Sequence, residues 1–151
     1  MLSPGPGRLL RLLADAEAVT WALLLVGMAL KYLTRTTDLG VSIAGPIHGF
    51  VFLAYCVVVV IVGVDQRWGA RRIVLGLASA IPPFVTIPFE RSVRRRGLAR
   101  ERWRLREGTG HTAVERALAA VLRRPLPSAL VALLLVAGVF SALLAVGPPV
   151  G

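Results

Sequence analysis

Three stretches of this chain run for membrane-crossing lengths with almost no acidic or basic side chain, and that pattern points to a membrane. Val41 to Val64 carries none except His48, Ile73 to Phe89 carries none, and Pro125 to the C-terminus carries none. About 20 apolar residues cover the roughly 30 Å hydrocarbon core. A soluble helix or strand would instead repeat its apolar residues at a period near 3.6 or 2. A mean hydropathy of +0.71, with 56% hydrophobic residues, agrees with the blocks.

A further apolar run, Ala18 to Leu30, is shorter, and Glu17 and Lys31 flank it. At about 1.5 Å per residue it falls short of the bilayer core, so those two residues must snorkel, sit at the slab edge or pair inside a bundle. Arg8 and Arg11 ahead of the run suggest a cleaved signal peptide, but Lys31-Tyr32 follows where small residues would be needed, which favours a retained helix. The expected fold is an all-α integral membrane protein with four transmembrane helices, near 14–34, 46–64, 72–89 and 127–147. Pro46 then suits the first turn of the second helix.

Residues 1–13 form a turn-rich tail, Ser3-Pro4-Gly5-Pro6-Gly7, and the interfacial start of helix 1. A three-helix membrane core covers 14–90, an arginine-rich linker 91–126, and the fourth helix with its tail 127–151.

Four crossings put the turn after helix 1 and the long linker on one side. Those segments carry Lys31, Arg35 and the arginines from Arg91 to Arg124, against Arg8, Arg11, Arg67, Arg71 and Arg72 opposite. The positive-inside rule makes the richer side cytoplasmic, so both termini are expected outside the cytoplasm of a multi-pass plasma-membrane protein. In the linker, Arg94, Arg95, Arg96, Arg100, Arg102 and Arg104 stand beside a membrane helix, where basic clusters bind anionic headgroups. A nucleic-acid reading rests only on Trp103 among the arginines and is set aside. Thr112-Ala113-Val114-Glu115 has the form of a capping box opening a short amphipathic helix, with Val114, Leu118, Val121 and Leu122 on one side.

Polar residues within the apolar runs are costly and mark function or an internal contact. Glu17, Thr20, Leu24, Gly27 and Lys31 form one stripe on helix 1, His48, Phe52 and Tyr55 another on helix 2, and Pro82, Thr86 and Glu90 a third on helix 3. Lys31 ends helix 1, His48 begins helix 2 and Glu90 ends helix 3, so the four-span topology predicts a Lys31/His48/Glu90 cluster on the cytoplasmic side, with Tyr55 deeper. Glu17 and Thr20 form a second polar site toward the opposite face. Gly45 and Gly49 have the small-xxx-small spacing of close helix packing. Pro82 and Pro83 deprive the carbonyls of Ala78 and Ser79 of helical donors.

The arginine-rich start, Glu17-Ala18-Val19-Thr20, Lys31-Tyr32, Gly45-x-x-His48-Gly49 with Tyr55, Pro82-Pro83-Phe84 and Glu90 together resemble the YdzA-like family over about residues 8–96. That is a bacterial integral-membrane family of unknown function. The resemblance implies a three-span unit, with the linker and fourth helix beyond it, and implies no activity.

Cys56 stands alone, so no disulfide forms within the chain, and His48 and His111 are the only imidazoles, which gives no metal site. No phosphate loop, dinucleotide fingerprint or nucleophile elbow occurs, and no cofactor is expected. Two function classes remain. One is a non-enzymatic accessory or assembly subunit whose basic arm docks anionic lipid or a membrane-protein partner. The other is a small transport or ligand-binding bundle, working as a homo-oligomer, that uses the Lys/His/Glu cluster.

Overall fold

The computed structural model describes residues 4–108 and 110–146, and the described residues form helices without strands. The order is α1 (Pro6–Met28, continued by a wider turn over Ala29–Leu33), α2 (Leu39–Asp65), α3 (Ala70–Ala78), α4 (Thr86–Arg95), α5 (Arg104–Glu107), α6 (Ala113–Arg123) and α7 (Pro125–Val146). Two helices, Pro6–Leu33 and Leu39–Asp65, are long and apolar enough to cross a membrane. Ser3 and the tail after residue 146 lie outside the described residues.

Helices α1 and α2 form an antiparallel pair, the most extensive packing in the fold. In lipid no hydrophobic force drives helices together, so association depends on close approach of backbones and on polar contacts. Gly27 and Gly40 supply that approach: a Cβ on Gly27 would stand 2.7 Å from the Gly40 carbonyl carbon. Gly45, expected to pack, has nothing within 4 Å of its Cβ position, and Gly49 meets only the Phe140 ring of α7 at 3.0 Å. The small-residue spacing was present there, but the helix face carrying it looks away from α1.

The helix expected over 72–89 is two helices with a chain reversal between them. Proline removes a donor and pushes the preceding residue out of the helical region, and Pro82-Pro83 does both at the bend. Phe84 completes the reversal at φ 65°, a left-handed conformation rare for a bulky residue. α3 runs back along α2, with Gly76 against Val59 and Tyr55 bonded to Ser79. α4 then returns along α1, with Thr86 beside Ala14 and Glu17, and Val93 packed with Leu10 in the core. The pair is therefore a re-entrant hairpin that enters and leaves at one end of the bundle. Ala78's carbonyl, released by Pro82, accepts instead from the Ile81 N–H at 3.2 Å.

Three further boundaries move. α2 starts at Leu39, so Pro46 lies inside the helix rather than in its first turn, on the exposed side. α1 starts at Pro6 within the predicted tail, because proline suits the first helical position. The expected core–linker border at 90 falls inside α4.

The linker is not a free arm. It folds over the hairpin end of the bundle: the Trp68 indole donates to Leu98 O at 2.8 Å and the Trp103 indole to Pro4 O at 2.9 Å, with Trp103 and Leu105 buried. Gly5 must be glycine here, since a Cβ would lie 2.0 Å from the Glu101 carbonyl oxygen. The capping box forms as expected at Thr112 and Glu115. α6 turns Glu115 and Ala119 inward and leaves Val114 and Val121 exposed, so its buried face is rotated from the expected one.

Candidate functional site

Polar side chains from α1, α2 and the hairpin meet where the hairpin bends. Glu17 and Thr20 on α1 sit one helical turn apart on the buried face, as their spacing requires. The register set by Gly27 against Gly40 carries two turns further and brings His48 opposite Thr20, with Nδ1 3.0 Å from the threonine hydroxyl. That hydroxyl also lies 2.9 Å from the Glu17 carbonyl oxygen. It has one proton, so donating to the carbonyl requires a protonated Nδ1, and donating to His48 requires a bare one. The His48 ring packs on Trp21 with centroids 4.5 Å apart, and the Trp21 indole donates to Ala80 O at 3.4 Å. Deeper along α2, the fully buried Tyr55 hydroxyl meets Ser79 Oγ at 3.0 Å, and Ser79 donates to Gly76 O at 2.6 Å.

Glu17 is enclosed completely. Its Oε2 accepts from Thr86 at 2.8 Å, while Oε1 is buried without a hydrogen-bond partner. A buried carboxyl with one open oxygen is able to take a proton or a cation, and burial without either is costly. Among the described residues, no group of three His, Cys, Asp or Glu side chains is placed to hold a metal ion.

The expected Lys31/His48/Glu90 cluster does not assemble. Lys31 stands over the Tyr32 ring, 5.5 Å from its centroid, at the α1–α2 turn. Glu90 lies at the other end, paired with Arg94 at 3.5 Å and lining a hollow with Arg8 and Arg11. The rise of α1 between Arg11 and Lys31 separates these ends by about 30 Å. The cause is the hairpin: a crossing helix over 72–89 would have carried Glu90 to the Lys31 end. Instead, the two polar sites read separately from the sequence join, since Thr20 touches His48. Tyr55 is linked to Ser79 rather than to the charged residues.

A second constellation lies at the hairpin end. Asp65, the last residue of α2, is buried and accepts from the backbone N–H groups of Leu105 at 2.9 Å and Arg104 at 3.2 Å, as well as from Gln66. The Arg104 guanidinium donates to Asp65 O at 2.6 Å and to Glu115 Oε1 at 2.5 Å. Arg67 adds a contact to Glu115 at 3.3 Å. The His111 N–H, followed by Arg104, Arg67 and the Thr112 N–H, holds the Glu115 carboxyl down to about 2. Arg104 is thus a structural clamp rather than a headgroup ligand, and Arg94 and Arg102 are engaged with Glu90 and Glu107. Arg95, Arg96 and Arg100 keep exposed side chains. Thr86 entered the sequence reading only in a stripe with Pro82 and Glu90, and Ser79 only through its carbonyl, while Asp65 escaped it. Asp65 had a signal, as a lone acid closing a long apolar run.

The chain is 46% identical over 97 residues to the Streptomyces coelicolor protein SCO5905, named as a membrane protein. The match covers 62% of this chain but only 12% of that much longer relative. No solved structure matches. A family model described as a domain of unknown function, DUF3817, matches residues 7–95, which take in α1, α2 and the whole hairpin. The chain therefore belongs to the DUF3817 family and, with its two long apolar helices, is a membrane protein whose biochemical function is unknown.

Proposed function

We propose that the chain is a non-catalytic plasma-membrane module whose basic end faces the cytoplasm and holds anionic headgroups, serving as an accessory or assembly element. One observation carries this reading: the segregation of charge. Arg8 and Arg11 begin α1, Arg67 to Arg72 follow α2, and the arginines from Arg91 to Arg124 run from the last turns of α4 through the linker, all at one end of the bundle, while Lys31 and Arg35 alone sit at the other. The positive-inside rule assigns such an end to the cytoplasm. Because the hairpin returns to its own side, the crossings are α1, α2 and α7, and the N-terminal end is inside. This replaces four crossings with both termini outside.

Arg71, Arg72 and Arg96 line one hollow at the hairpin mouth, and Arg91, Arg95 and Arg96 line the next. Each basic residue near an anionic surface contributes about 1 kcal/mol. A domain that matches only 12% of a longer relative suits an accessory element. The YdzA-like spacing of Glu17, Lys31 and His48-Gly49 is kept in this reading as a resemblance. Bromine on the acyl chains of a lipid quenches nearby tryptophan, and Trp68 lies among these arginines, so reconstitution of the full chain with brominated lipids tests the proposal. Brominated anionic lipid should quench more than brominated zwitterionic lipid, and the difference should shrink with salt and in a variant carrying Arg71, Arg72, Arg95 and Arg96→Gln. Equal quenching by both lipids at low salt would overturn it.

A further inference from the structure

An apolar cavity of about 500 Å³ opens between α1, α2 and α7. Leu13, Ala54 and Val136 form its walls, Phe50 stands at its inner end, and Ile61 with Arg106 stands at its outer end. The volume lies within the range of sites that hold one small ligand. From Ile61 to Phe50 the slot runs about 16 Å along α2, which matches the depth of one leaflet, half of the roughly 30 Å core. Its Ile61 end lies beside Arg106, and its Phe50 end lies near the middle of α2. A guanidinium at the mouth of an apolar slot of leaflet depth is complementary to an anionic head on a hydrocarbon tail. Arg106 is anchored there, its Nε donating to Leu122 O at 2.9 Å, and the Trp103 indole beside it is fixed on Pro4 O.

We infer that this slot holds one acyl chain of an anionic phospholipid from the basic-side leaflet, with the headgroup at Arg106. The inference rests on the cytoplasmic, anionic-leaflet reading of that end, but it concerns one seated lipid rather than the exchanging lipids around the protein.

The full chain, purified in mild detergent, is examined by native mass spectrometry with quantification of extracted phospholipid. The wild type should retain a single anionic phospholipid per chain. Ala54→Trp, which fills the slot, should reduce retention roughly tenfold or more. Arg106→Gln should keep a lipid but lose the preference for an anionic head, and Arg35→Gln, at the opposite end of the bundle, should change nothing. Leu133→Trp fills the same space from α7 and serves if the Ala54 variant fails to fold. Absence of retained lipid in the wild type, equal retention in both folded filling variants, or a co-purifying protein in place of lipid would each overturn the inference. Ala54→Phe, which fills the slot without adding an indole, should leave the salt-sensitive quenching difference intact, so loss of that difference with the seated lipid still present in the wild type would defeat the headgroup reading alone.

Discussion

Gly27→Leu should lower the melting midpoint of the protein in detergent sharply, while Gly45→Leu should leave it unchanged or raise it. The Gly27 side faces backbone: a Cβ there would stand 2.7 Å from the Gly40 carbonyl carbon and 2.9 Å from the Val41 nitrogen. Backbone atoms cannot swing aside as a side chain does, so α1 and α2 must separate along their whole interface. Overpacking costs about 1–3 kcal/mol even where side chains can adjust, and a shift of the melting midpoint of roughly 5 °C or more follows. Separation would also break the Thr20–His48 contact two turns away. Gly45 has open space at its Cβ position, and leucine is a better helix former than glycine. Thermal melts of the two variants in one detergent check this. A Gly45→Leu variant that melts lower than Gly27→Leu would mean that the α1–α2 register described here is wrong.

Asp65→Ala should release the linker. Its carboxylate is buried at the end of α2 and satisfies the N–H groups of Arg104 and Leu105, at the point where the chain turns into α5. Each buried donor left without a partner costs about 1–3 kcal/mol. Freed at its backbone N–H, Arg104 would keep only its side-chain bonds to the carbonyls of residues 64 and 65 and to Glu115. The expected result is rapid tryptic cleavage at Arg100, Arg102, Arg104 and Arg106 in the variant, with the α1–α2 pair still protected. Asp65→Asn keeps the acceptor oxygen and should be cleaved at an intermediate rate. An Asp65→Ala variant as resistant as the wild type would show that the linker is held without the Asp65 carboxylate, by Trp68, Trp103 and the Arg104–Glu115 contacts.

The membrane helices were legible because their signal is compositional: a run such as Val41–Val64 allows few alternatives. The buried stripe of Glu17, Thr20 and Gly27 was legible too, because helical spacing fixes a face whatever the tertiary structure. The topology was not. Ile73 to Phe89 is apolar enough to cross, and only Pro82-Pro83 and the left-handed Phe84 make it turn back. That single reversal moved Glu90 from the Lys31 end to the Arg8 end and dissolved the predicted cluster. It also merged two polar sites that had been assigned to opposite faces. The Gly45/Gly49 spacing pointed to close packing at both positions, and only Gly49 meets a neighbour, the Phe140 ring of α7. A spacing says that two small residues share a face, and only the partner's position says whether that face is packed. The docking of the linker depends on Asp65 and on two indole N–H groups that reach backbone carbonyls, contacts with no periodicity to reveal them.

The re-entrant hairpin carries the rest of the account, and cysteine accessibility at its two feet tests it most directly. With Cys56→Ser as background, single cysteines at Gly69, before α3, and at Arg100, after α4, are compared with one at Thr37 in the α1–α2 turn. A membrane-impermeant maleimide added to right-side-out vesicles should label Thr37→Cys at once. Gly69→Cys and Arg100→Cys should react only after permeabilisation, and both to the same extent. Labelling of Gly69→Cys and Arg100→Cys from opposite sides would mean that the segment between them crosses the membrane, and would contradict the hairpin.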